Sequence, residues 1–258
     1  PEMAVSMISA VGGHGDMAIG NVVGSNIANV LLILGVCAIF APISFTKSNI
    51  RRDLPLNIVV SLVMLLVTFT SASIGRIEGI LLLIGYVAMI IYSVRSDRKA
   101  MSEEEASKED ISMLRVLIMI VAGLAGLIFG GDMFVDSATN IALSWGVSEA
   151  VIAITLVAVG TSLPELAASL ASIIKGSAAI ALGNVVGSNI ANILLILGAC
   201  STVTPLTMGG VTMSDIIVVV ATSLILLISA LFIGNKKITR FEGLLFFALY
   251  VAYVYMIL

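Results

Sequence analysis

Apolar residues run for about 20 positions at a time along this chain, the length that spans a bilayer core, and each run stops at charge, glycine or proline. The runs predict membrane helices near 18–40, 54–73, 77–94, 113–136, 149–174, 180–203, 214–233 and 239–257. They are too long and too uniformly apolar for the core helices of a soluble domain. The opening "PEMAVSMISAV" is apolar but too short to cross, so residues 1–12 read as the end of a further helix with chain upstream of it. The one clearly hydrophilic stretch, "RSDRKAMSEEEASKEDIS" at 95–112, reads as a solvated connector. It divides a first half, 1–94, from a second half of five helices, 113–258.

Composition sharpens the class. The 258 residues are 59% hydrophobic and 11% charged, with a mean hydropathy of +1.16. A soluble chain carries about 25% charged residues, so this one cannot cover a water-facing surface and needs lipid around it. The net charge of −3 is small and unclustered, which argues against nucleic acid as a partner. Cys37 and Cys200 lie in apolar runs and read as small core residues, and one histidine, His14, cannot build a metal cluster. No charged leader or cleavage site is visible at the start. Lys and Arg then assign sides. Connectors 41–53, 95–112, 175–179 and 234–240, with their flanks, hold twelve of the thirteen basic residues, and the opposite set holds only Arg76. By the positive-inside rule the first set is cytoplasmic and the C-terminus lies outside.

The chain also repeats itself. "GNVVGSNIAN" stands at 20–29 and again at 183–192, inside a gapless match of 1–37 with 164–200. Further on, "RIEGILLLIGYVA" at 76–88 matches "RFEGLLFFALYVA" at 240–252. The side assignment turns the two copies in opposite directions. Two inverted halves that meet at the midplane can expose one site to either side in turn.

The polar residues inside the runs are the candidate site. In "GTSLPE", Thr161, Ser162 and Glu165 share one helical face, and Pro164 should break the helix and free carbonyls around 156–160. A charge in mid-span costs at least about 2.5 kcal/mol, and no basic residue lies near Glu165 in sequence. A cation or a proton is its natural partner, and Glu2 is its mate in the first copy. In the repeated decapeptide, Gly183 and Gly187 make a small-residue face that lets helices pack closely, which should bring the adjoining face of Ser188 and Asn192 against the Glu165 helix. Ser188 and Asn192, with Ser25 and Asn29, add neutral oxygens, while Asn21, Asn26, Asn184 and Asn189 read as interhelical hydrogen-bonders. An all-oxygen shell suits Ca²⁺ or Na⁺ and not zinc or copper. Asp132 and Asp136, near a span end, read as helix-capping or solvated residues as readily as cation guides.

Two ordered motifs, "GTSLPE" then "GNVVGSNIAN", repeated in inverted orientation, resemble the cation/calcium antiporter superfamily, in particular the prokaryotic sodium/calcium exchangers. The resemblance implies an all-α, polytopic membrane protein with an inverted-repeat exchanger fold: ten helices in the full family, about eight and a half of them in this sequence. An upstream segment of about 50 residues, one spanning helix and the approach to Pro1, is therefore expected. The family's ligands carry over to Glu165, Thr161, Ser162, Ser188, Asn192 and the Ala158 carbonyl, and in the first half to Glu2, Ser25 and Asn29. Some members have Asp at one of the two positions held here by Asn29 and Asn192, so this shell is less negative. The implied activity is exchange of Ca²⁺ for Na⁺ with no cofactor. Ca²⁺/H⁺ exchange is the nearest rival, a passive cation channel a more distant one, and no catalytic Ser/His/Asp set or HExxH motif supports an enzyme. Oligomeric state stays open.

Overall fold

A computed structural model of the chain describes residues 1–70, 73–101, 158–233 and 236–257, with isolated positions between 117 and 144. Most of the predicted span 113–136, the front of 149–174, and both Asp132 and Asp136 lie outside the described residues. The first half runs α1 (Glu2–Val11), α2 (Gly15–Ala28), a π-helical turn π1 (Asn29–Ile33), α3 (Leu34–Phe40), β1 (Ile43–Ser44), π2 (Asn49–Asp53), α4 (Leu54–Thr70), β2 (Ser73–Ile74) and α5 (Arg76–Met101). The second half follows a like order, with α6 added at its start and no π turn between β3 and α10: α6 (Ala158–Thr161), α7 (Leu163–Ile174), α8 (Ala178–Ala191), π3 (Asn192–Leu197), α9 (Gly198–Val203), β3 (Leu206–Thr207), α10 (Met213–Phe232), β4 (Lys237–Ile238) and α11 (Arg240–Ile257).

Six of the described helices are long and apolar enough to cross a membrane: Gly15–Phe40, Asn49–Thr70, Arg76–Ser96, Ala178–Val203, Met213–Phe232 and Arg240–Ile257. They differ in depth. The Gly15–Phe40 span is 83% buried and Arg76–Ser96 only 11%, so the helix bearing the repeated decapeptide is central and α5 is peripheral. Leu66, Phe69, Leu81, Phe241 and Leu244 are exposed on the outside, an apolar surface that only lipid solvates well. Helix α5 continues to Met101, several residues into the stretch read from sequence as a connector.

The connectors pair as an inverted repeat requires. β1 lies antiparallel to β4, and β2 antiparallel to β3. Each ribbon joins one loop from each half, and each joins loops that the basic residues assign to the same side of the membrane.

The halves also interlock. α11 packs on α3 and, as its mirror, α5 packs on α9. Both crossings are glycine to glycine. A Cβ on Gly243 would stand 2.7 Å from the Gly35 carbonyl oxygen, and one on Gly79 would stand 2.8 Å from that of Gly198. Only bare backbone fits there, so each half's last helix is keyed into the middle of the other. The short helices follow the same rule: α1 also packs on α9 and π3, and α7 on α3 and π1. Each carboxylate-bearing helix thus sits against the opposite half.

Candidate functional site

The predicted break is present. α6 ends at Thr161, Ser162 forms the turn, and α7 restarts with Pro164 in its first turn, where its missing N–H costs nothing. Glu165 follows in that first turn, and Glu2 occupies the first turn of α1. The positive end of the α7 dipole thus lies at Glu165, which offsets part of the cost of holding that carboxylate at depth.

Amides staple these helices to the inner ones in the same way in both halves. Asn21 Nδ2 donates to the Glu2 carbonyl (3.4 Å) and Ser6 Oγ (3.0 Å). Asn184 Nδ2 donates to the Glu165 carbonyl (3.4 Å) and Ser169 Oγ (3.1 Å). The glycine reading for this contact does not hold. A Cβ on Gly183 or Gly187 would meet no described atom within 4 Å, and one on Gly20 would meet Val211 ahead of α10. The physical reason is angular: Gly183 sits about 100° of helix and Gly187 about 60° away from Asn184, the residue that docks.

The halves meet through polar contacts, one between two predicted site residues and three between a predicted site residue and one of the asparagines read as interhelical hydrogen-bonders. Ser162 Oγ donates to Glu2 Oε1 at 3.5 Å, and Thr161 Oγ1 to Asn21 Oδ1 at 3.3 Å. Asn29 Nδ2 donates to Asn189 Oδ1 at 2.9 Å, and Asn192 Nδ2 to Asn26 Oδ1 at 3.5 Å. Glu2, Ser25, Asn29, Thr161, Ser162 and Asn192 are all buried, while Glu165 and Ser188 are half-buried. Ala158 begins α6, one turn ahead of the break. Ser188 makes no hydrogen bond to the others among the described residues; it shares α8 with Asn184 and Asn189.

Three buried oxygens here have no hydrogen-bond partner among the described residues: Glu165 Oε2, Asn29 Oδ1 and Ser25 Oγ. Buried polar atoms are paired as a rule; Asn26 Nδ2 and Asn57 Oδ1 are unpaired as well, but these three are oxygens on predicted ligands from both halves, which makes them a candidate ligand-binding set. The contrast with Glu242 is direct. That carboxylate is also buried, but it accepts from Thr239 N and Oγ1 (both 2.8 Å) and from Ser229 Oγ, which makes it a cap for α11. Glu165 makes no ion pair among the described residues. No group of three or more His, Cys, Asp or Glu stands among them either, so the donor set is two carboxylates plus neutral oxygens.

One feature is barely legible in sequence. Both inner helices widen to π-helix directly at the candidate ligands, Asn29 opening π1 and Asn192 opening π3. Such turns disturb the regular backbone ladder and recur at functional sites. Residue propensity does not encode them. The duplicated asparagine is the only hint.

Inverted halves, a helix interrupted at Ser162 and buried oxygens contributed by both halves define a secondary transporter of the inverted-repeat class. Known proteins agree. Residues 1–95 and 115–258 match the family described as sodium/calcium exchanger protein. The chain belongs to that family: it is a multi-pass membrane cation exchanger and not an enzyme. It is similar to the sodium/calcium exchanger MaX1 of Methanosarcina acetivorans, with 31% identity over 98% of this chain and 83% of MaX1. It is also similar to the uncharacterized membrane protein MJ0091 of Methanocaldococcus jannaschii, with 38% identity over 97% of this chain and 80% of that one. Among solved structures, the sodium–calcium exchanger NCX_Mj soaked with Na⁺ and Sr²⁺ superposes with a TM-score of 0.82 at 33% identity, covering 99% of this chain and 81% of its own.

Proposed function

We propose that the protein exchanges Ca²⁺ for Na⁺ across the membrane by alternating access. The observation that carries the reading is the set of orphaned oxygens, Glu165 Oε2, Asn29 Oδ1 and Ser25 Oγ, where the two halves meet. The transported ion is held by Glu2, Ser25 and Asn29 from the first half and by Thr161, Ser162, Glu165, Ser188, Asn192 and the Ala158 carbonyl from the second. Two carboxylates neutralise a divalent ion, and neutral hydroxyls and amides complete a hard-cation shell. Two or more Na⁺ can take the same oxygens, so loading by one ion displaces the other. The inverted halves are close to equivalent, and rocking between their two mirror arrangements opens the site to each side in turn. The loop charges put 95–112 in the cytoplasm.

Flux into vesicles tests this. Protein reconstituted with internal Na⁺ should accumulate Ca²⁺ on dilution into Na⁺-free medium. A pH gradient without Na⁺ should drive little. Glu165→Gln keeps the shape and removes the charge, so flux should fall by at least ~100-fold, the equivalent of losing about 3 kcal/mol of charged-ligand interaction. The variant should still insert and fold, because it no longer holds a charge at depth. Flux driven by protons alone would move the reading to Ca²⁺/H⁺ exchange. Near-normal flux in Glu165→Gln would refute the site.

A further inference from the structure

We infer that Asn189 is a positioning residue: it turns the Asn29 amide so that oxygen, and not N–H, faces the ion. The inference rests on the ion-exchange reading above. It starts from a property of carboxamides. An amide coordinates a cation only through Oδ1, and a half-turn about its last bond presents two N–H donors instead. An asparagine ligand therefore needs something that fixes its orientation.

Asn29 has that fixture, and it comes from the other half. Its Nδ2 donates to Asn189 Oδ1 at 2.9 Å, which leaves Asn29 Oδ1 as the buried oxygen without a partner among the described residues. Asn189 has the same ambiguity, and it is resolved one step back. Asn189 Nδ2 donates to the backbone carbonyl of Asn26 at 3.2 Å. A backbone carbonyl cannot flip. The chain of bonds is therefore directional: Asn26 C=O holds the nitrogen of Asn189, Asn189 Oδ1 holds the nitrogen of Asn29, and Asn29 Oδ1 is left facing the site. All three residues are fully or almost fully buried, so bulk water cannot substitute for a missing member.

The mirror arrangement is not equally built. Asn192 Nδ2 reaches Asn26 Oδ1 only at 3.5 Å, the limit of a hydrogen bond. Asn26 Nδ2 has no partner among the described residues, so no fixed carbonyl sets the Asn26 amide. Two residues at identical places in the repeat thus have unequal duties. The side chain of Asn189 is a necessary link. That of Asn26 is dispensable to this chain, because only its backbone takes part.

The test is a double-mutant cycle on Ca²⁺ binding, measured by titration calorimetry on the purified protein and by the Ca²⁺ dependence of vesicle flux. Asn189→Ala should weaken Ca²⁺ binding ~10-fold, the size expected when one oriented hydrogen bond is lost. Maximal flux at saturating Ca²⁺ should be retained. Asn29→Ala should weaken binding at least as much, and the double variant should be no worse than Asn29→Ala alone, because Asn189 acts through Asn29. Asn26→Ala keeps the backbone carbonyl and should change affinity less than ~2-fold. A purely structural role for Asn189 would instead give losses that multiply in the double variant. Multiplying losses, unchanged affinity in Asn189→Ala, or equal effects at Asn26 and Asn189 would each overturn the inference. Should Asn189→Ala fail to fold, Asn189→Ser replaces it in the same cycle, with the same requirement that its effect vanish beside Asn29→Ala. Absence of Ca²⁺ binding in the wild type is a separate result and would sink the functional reading itself.

Discussion

Gly79 and Gly85 lie on the same helix, α5, yet substituting them with alanine should have opposite signs. At Gly79 the new methyl would run into Ser201 Oγ and would stand 2.8 Å from both the Gly198 carbonyl oxygen and the Thr202 nitrogen. Two of these three atoms are backbone and cannot step aside by changing rotamer. α5 and α9 must part by several tenths of an ångström, and overpacking of that kind costs about 1–3 kcal/mol. The gain from replacing a helical glycine with alanine is at most about 1 kcal/mol and is smaller near a helix end. The net for Gly79→Ala is a loss of about 1–2 kcal/mol. At Gly85 the nearest atom is Leu194 Cδ2 at 3.7 Å, an ordinary contact, so only the propensity gain remains. Gly85→Ala should be neutral or stabilising by up to about 1 kcal/mol. Thermal unfolding of the two variants in one detergent, followed by intrinsic fluorescence, compares them directly. If Gly79→Ala melted at or above Gly85→Ala, the close approach of the two halves would not be as described. Gly243→Ala should behave like Gly79→Ala, because its methyl would meet the Gly35 carbonyl at the mirror crossing.

Asn184→Ala removes both donors that hold α8 to the Glu165 carbonyl and to Ser169, and should cost about 1–3 kcal/mol in the same melting assay. A result within error of wild type would deny that Asn184 is the staple. Cys37 and Cys200 are fully buried and free, so neither should react with a maleimide in the folded protein. Against that silent background, a cysteine placed at Ser102 should label with an impermeant reagent only after cells are opened, since the basic loops lie inside. Labelling in intact cells would invert the topology.

The membrane class and the inverted repeat were legible in the sequence, and the residues proposed for the site were nominated there, for definite reasons. Apolar runs of bilayer length have no other solvent, and twelve basic residues on alternate connectors leave one consistent threading. The gapless match exposes the second copy without any knowledge of packing. Glu165 stood out because a carboxylate in an apolar run demands a partner. What tertiary structure alone decided is orientation and contact. Sequence gave the glycines of the decapeptide the packing role, and packing gave it to Asn184, because which 100° sector of a helix faces its neighbour depends on where that neighbour lies. The glycines that do bring helices together, Gly35 with Gly243 and Gly79 with Gly198, pair residues from opposite halves, and no local pattern joins them. The π turns at Asn29 and Asn192 cost local hydrogen bonds and persist only because the surrounding helices hold them, so no propensity scale anticipates them. The same holds for the amides. Nine identical letters surround Asn26 and Asn189, but the fixed carbonyl that gives one of them its direction is supplied by the opposite half, and only the folded chain brings it there.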